Sequence, residues 1–201
     1  MKKLKKINKG LVLTIIVIIT LIIYLTGVEK QRKADKEEIK LVCEKFIEVT
    51  DKYSILPEDM QKLNQEITTE QKNAYEKEMN IELRKSMTNS DEAVKLQNSI
   101  LKFNLKNEYK NNKQQVTTKQ KRDIIKIKGY EFDSNIVTVT FSSKLSMEYK
   151  YLNNDKQEQI KKQDLPTEND EIQLKKVNGE WKVTYANLQY FSNTGINTLY
   201  L

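Results

Sequence analysis

The side chains that most often do chemistry are scarce in this chain. It has no histidine and a single cysteine, Cys43. The commonest general base, the commonest metal ligand and every Ser-His or Cys-His pairing are therefore missing. A lone thiol also rules out an internal disulfide and makes a poor tetrahedral zinc set. Cys43 borders an apolar helical stripe, so its expected role is that of a small buried hydrophobe. The longest strand pattern turns Ser143, Tyr149 and Tyr151 to its buried side but brings no carboxylate with them. Asp and Glu are plentiful, yet they fall on helical faces expected to be solvated. No phosphate loop, paired-carboxylate motif or metal-ligand cluster is present. The expectation is of no enzyme, no cofactor and no metal.

Charge points the same way. The formal net charge of +7 invites a nucleic-acid reading, but its location argues against one. Lys2, Lys3, Lys5, Lys6 and Lys9 supply five of the seven, and residues 11–28 carry none. The remaining +2 is spread over well-mixed acids and bases. A nucleic-acid site would gather basic residues on one surface, so no nucleic-acid partner is expected.

Residues 11–28 read LVLTIIVIITLIIYLTGV, eighteen positions without a charge. As a helix they extend roughly 27 Å, close to the hydrocarbon thickness of a bilayer. The preceding lysines favour a cytoplasmic N-terminus. The competing reading is a cleaved signal peptide. Leu25, where a cleavage site wants a small residue, speaks for a retained anchor. The expected organisation is a basic cytoplasmic tail at 1–10, a transmembrane helix at 11–28 and a linker at 29–34. An extracytoplasmic domain at 35–191 and an apolar tail at 192–201 complete it. The protein is expected in the cell membrane as a single-pass chain, contacting the bilayer through residues 11–28.

The domain divides into a helical half and a strand-rich half. Ile39, Val42, Phe46, Val49 and Tyr53 recur at helical spacing. Pro57 ends that helix and can open the next, with Met60, Leu63 and Ile67 continuing. Thr68 with Gln71 resembles a capping box. Tyr75, Met79, Leu83 and Met87 then recur every four residues, and a weaker helical stretch ends by Tyr109. Beyond it the period becomes two. Ile125 and Ile127 alternate with lysines, and Gly129 suggests a bulge. Asp133-Ser134-Asn135 makes a turn. Val137, Val139, Phe141, Ser143, Leu145, Met147, Tyr149 and Tyr151 share one side of a long strand. Residues 153–170, polar and holding Pro166, read as a long mobile connection. Ile172 and Leu174 start another strand. Asn178-Gly179 signals a two-residue hairpin before Trp181, Val183 and Tyr185.

Helices followed by a meander that closes on Asn178-Gly179-Glu180-Trp181-Lys182-Val183 resemble the cone-shaped α+β fold of the nuclear-transport-factor-two-like (cystatin-like) superfamily. The resemblance covers roughly residues 35–191. It implies helices packed into a curved antiparallel sheet around a cavity or core lined by Phe46, Tyr53, Phe141, Tyr149 and Trp181. With the anchor added, the layout is similar to the bitopic scaffold proteins of type IV secretion and conjugation machines, and to surface proteins of Gram-positive bacteria. The function expected is a membrane-anchored binding or scaffold domain, whose partners are other membrane-complex proteins or further copies of itself. The alternative is a small-ligand or sensor domain using an apolar cavity. The tail 187–201, NLQYFSNTGINTLYL, carries no charge in a chain that is 31% charged. Ile196, Leu199, Tyr200 and Leu201 are its candidate partner contacts, by edge-strand addition. The alternative is that the tail folds back on its own domain.

Overall fold

A computed structural model describes residues 9–88, 91–110 and 114–189. The chain divides into two compact units, 1–39 and 40–201. In the first unit the described residues belong to one helix, α1, which runs Lys9–Tyr53 and continues into the second. Its apolar part contains an eighteen-residue window of mean hydropathy 2.0, none of it buried. One helix near the N-terminus is thus long and apolar enough to cross a membrane. Residues 29–34, expected as a linker, extend α1 without a break. Glu, Lys, Gln, Arg and Ala dominate 29–38, and all are good helix formers.

The second unit opens with the last turns of α1. Here the buried stripe differs slightly from the expected one. Cys43, Phe46, Ile47, Thr50 and Tyr53 are buried, whereas Val42 and Val49 are half-buried. The Thr50 hydroxyl tolerates burial because it donates back to the Ile47 carbonyl at 2.9 Å. Pro57 opens only a single 3-10 turn, Glu58–Met60, and the chain is irregular from there to Thr68. The capping box forms as expected. Thr68 accepts from the Gln71 backbone, and Gln71 accepts from that of Thr68. Helix α2 spans Thr69–Ser86 and buries Tyr75, Met79 and Leu83. Helix α3 spans Asp91–Leu105. It is joined to α2 by an Asn98–Asn80 side-chain hydrogen bond and by Lys102 on Glu76 at 2.7 Å.

Four antiparallel strands in sequence order make an open sheet: β1 Gln115–Asp133, β2 Ile136–Leu152, β3 Glu158–Val177 and β4 Glu180–Asn187. The fold class is α+β. Ser134 and Asn178-Gly179 adopt positive φ in their two-residue turns, which suits the right-handed twist of the flanking strands. The stretch 153–170 is not a long connection. Only 153–157 turn, and 158–170 belong to β3. Its polarity misled because none of residues 158–166 is buried and the two that are buried beyond them, Thr167 and Asp170, are polar. Pro166 fits in a strand whose outer edge has no ladder partner there among the described residues, so its missing N–H costs little.

Bulges decide which residues face inward. β1 carries register shifts at Thr117/Lys119, Ile124/Lys126 and Ile127/Gly129, the last at the expected glycine. β2 and β3 slip between Phe141 and Ser143, and β3 and β4 between Gln173 and Leu174. Each extra residue flips the parity of the positions after it. Ile125, expected in an alternating row, is therefore 64% exposed. On β4, Trp181 and Val183 are buried, but the inward row then passes to Ala186 and Leu188 and leaves Tyr185 half-exposed.

Candidate functional site

The inner face of the sheet is apolar except at one place. Ser143 interrupts the row Val137, Val139, Phe141, Leu145, and it is fully buried. A buried hydroxyl needs partners, and they converge on it from both neighbouring strands. Thr167 and Asp170 both point inward because β3 has one residue more than β2 between them. Arg122 reaches across from β1.

Arg122 and Asp170 form an ion pair at 2.7 Å with neither side chain exposed. Asp170 Oδ2 also accepts from Ser143 Oγ and from Thr167 Oγ1, each at 2.5 Å. Arg122 Nη1 donates to Ser143 Oγ at 2.9 Å. The other ends of the pair hold the backbone of Gln189. Its N–H donates to Asp170 Oδ1 at 2.7 Å, and its carbonyl accepts from Arg122 Nη2 at 2.7 Å. Ser143 thus has the carboxylate beside it that the strand pattern alone does not supply. The expectation that the acidic residues all lie on solvated faces fails here, and it fails again at Asp51.

The chemistry open to this cluster is narrow. The Asp170 carboxylate faces a guanidinium and three further donors, so its oxygens are taken up by internal hydrogen bonds. Arg122 offers donors only, and they are turned to Ser143, Asp170 and Gln189. Ser143 is held as a donor to Asp170, with no imidazole to activate it. The group acts as a lock, joining β1, β2, β3 and the chain just past β4.

Asp51, near the end of α1, makes a second buried polar link. Its Oδ2 accepts from the backbone N–H of Arg122 at 2.5 Å, and its Oδ1 accepts from Gln120 Nε2 at 3.0 Å. Burial pushes its carboxyl above the usual carboxylate range, and the two donors only partly offset this. Beside it lies an open groove of about 480 Å³ between α1 and β1. Glu44, Glu48, Lys52, Lys121 and Asp123 are among its walls. Those walls are polar and mixed in sign, unlike an apolar ligand cavity.

All five residues expected to line a cavity or core are buried: Phe46, Tyr53, Phe141, Tyr149 and Trp181. Tyr53 stacks at a tilt on Tyr75, with centroids 5.4 Å apart, and its hydroxyl donates to Glu78 at 2.8 Å. Tyr75 in turn donates to the Ile55 carbonyl at 2.5 Å, tying α2 to the end of α1. Phe132 meets Trp181 edge-on, and the Lys176 ammonium lies 5.2 Å from the Trp181 ring centre. Cys43 is 1% exposed, and burial pushes its thiol up to about 12, the behaviour of an inert packing residue. No group of three or more His, Cys, Asp or Glu placed to hold a metal occurs among the described residues. The candidate partner contacts Ile196, Leu199, Tyr200 and Leu201 lie outside the described residues. Compared with protein-family models, with curated proteins and with solved structures, the chain matches none.

Proposed function

We propose that this chain is a single-pass membrane protein whose 40–201 unit works outside the cytoplasm as a binding or scaffold domain. The observation that carries the reading is the apolar part of α1, unburied across its whole eighteen-residue window. Such a surface in water is strongly unfavourable, and a bilayer removes it. The lysines before it set the N-terminus inside. The domain behind it has its buried charges committed to internal bonds, which suits a stable surface for other proteins better than reactive chemistry.

The helices-then-meander order and the bulged sheet support a cystatin-like cone. The anchor plus such a domain supports a place among bitopic components of a conjugation or secretion complex, in contact with other membrane proteins or with further copies. The reading is tested with the full chain expressed in a bacterial membrane. It should resist alkaline carbonate extraction and migrate in mild detergent as an assembly larger than one chain. A carbonate-soluble chain overturns the anchor, and a strictly monomeric membrane chain overturns the scaffold role.

A further inference from the structure

The first part of β3 leaves one edge open. β4 covers only Glu171–Val177, so from Glu158 to Thr167 that edge has no ladder partner among the described residues. At other places the fold caps its sheet edges. Thr88 donates to the Val183 carbonyl at 2.8 Å beside β4, and Asp51 accepts from the Arg122 N–H beside β1. The open stretch is also regular, since β2 and β3 pair without a shift from Ser143–Thr167 to Leu152–Glu158. Ile160 lies in it and is 64% exposed. Unpaired strand edges are templates for another strand.

The ladder decides which N–H groups face this edge. Leu152 of β2 donates to Gln114, towards β1, at 2.9 Å. Tyr151 and alternate residues before it therefore turn to β3, and their partners Gln159, Lys161, Gln163 and Leu165 turn back to β2. Glu158, Ile160, Lys162 and Asp164 are left with N–H groups facing outward. Pro166 is next in that row, where a missing N–H costs no bond within the sheet. Glu158, Ile160 and Lys162 are all exposed and, being alternate, share one face.

We propose that this edge pairs antiparallel with the same edge of a second copy, about a two-fold axis at Ile160. A two-fold contact must be self-complementary, and charge selects the register. An axis at Lys162 sets two ammonium groups together. An axis at Lys161 sets Glu158 against Asp164. An axis at Gln163 sets Ile160 against Pro166, which has no donor. With the axis at Ile160, Glu158 faces Lys162 of the other copy at both ends, Ile160 packs on its counterpart, and Pro166 stays outside the pairing. Opposite charges and paired β-branched residues are favourable cross-strand neighbours. The contact forms about six backbone hydrogen bonds. That is short for chains free in water, but two copies anchored in one membrane meet at a higher effective concentration. In this the inference rests on the membrane and self-association reading above, and it names the edge through which copies meet.

The test uses the full-length chain in membranes carrying Ile160→Cys, oxidised and then resolved without reductant. The native Cys43 is buried and stays out of the reaction. In the proposed register the two Cα atoms at position 160 lie about 5.5 Å apart, within disulfide reach. The expected result is a covalent dimer. Asp164→Cys, whose two copies lie roughly 26 Å apart along the strands, should stay uncross-linked. Cross-linking of Asp164→Cys as readily as of Ile160→Cys overturns the proposal. Ile160→Pro in mild detergent gives a second reading. The N–H it removes faces the open edge and not β2, so the domain should melt as wild type does while the dimer is lost. An assembly that persists in Ile160→Pro and gives no Ile160→Cys cross-link overturns the edge pairing and leaves the scaffold reading standing. A monomeric wild-type chain overturns both. An Ile160 amide protected from hydrogen exchange in such a monomer assigns the edge to a segment of the same chain.

Discussion

Arg122 on β1 and Asp170 on β3 meet at 2.7 Å over the intervening β2, both side chains wholly buried. Taking two charges out of water is costly, so the pair is retained only because the contacts around it compensate. Removing either partner leaves the other charge unpaired. Arg122→Met or Asp170→Leu alone should cost about 3–5 kcal/mol of domain stability. Making both changes should cost clearly less than the sum of the two. A double-mutant cycle by urea unfolding checks this, and strict additivity would show that the two charges do not interact.

Asp51 predicts a pH dependence. Its folded pKa lies above the unfolded value because of burial. The folded state then binds a proton more tightly than the unfolded one. The contribution to stability is fully present below the unfolded pKa, near 3.8, and is lost as pH rises through the folded value. Groups facing it are Glu44, Glu48 and Lys52 on α1, and Lys121, Arg122 and Asp123 on β1. In Asp51→Asn this dependence disappears. The stability gap between wild type and Asp51→Asn should shrink as pH rises from about 3.5 to 7. A gap that widens instead would show that the hydrogen bonds to the carboxylate outweigh its burial.

Phe141 is fully buried opposite Asp170, where β2 passes the bulges of both neighbouring strands. Phe141→Ala should cost about 3–5 kcal/mol, read as a lower denaturant midpoint with an unchanged slope. A variant melting like wild type would mean that this face is not packed.

The β2 face was legible because its buried positions Val137, Val139, Phe141, Ser143, Leu145 and Tyr149 fall in the expected period-two row, in which Met147 and Tyr151 are half-buried. The helix start at Thr68 and the turn at Asn178-Gly179 were legible because short motifs with fixed backbone demands produce them. The end of β3 was legible in Ile172 and Leu174, but residues 158–170 were not, since none of 158–166 is buried and the buried Thr167 and Asp170 are polar. Nor was the lock. Asp170 and Thr167 are three apart in sequence, and only a bulge turns both inward. Arg122 sits in a lysine-rich run that looks solvated. Ser143 was the one available signal: a hydroxyl in an otherwise apolar inward row requires a buried polar partner.

Impermeant thiol labelling of intact cells tests most directly whether α1 carries the domain across a membrane. Cys43 is buried with a raised pKa, so the native chain supplies little background. Asp155 lies exposed in the β2–β3 turn, and Lys3 lies before the apolar run. Asp155→Cys should react with a membrane-impermeant maleimide added outside the cells, and Lys3→Cys should react only after permeabilisation. The reverse pattern, or protection of both positions until the cells are opened, would contradict an extracytoplasmic domain on a membrane-spanning α1.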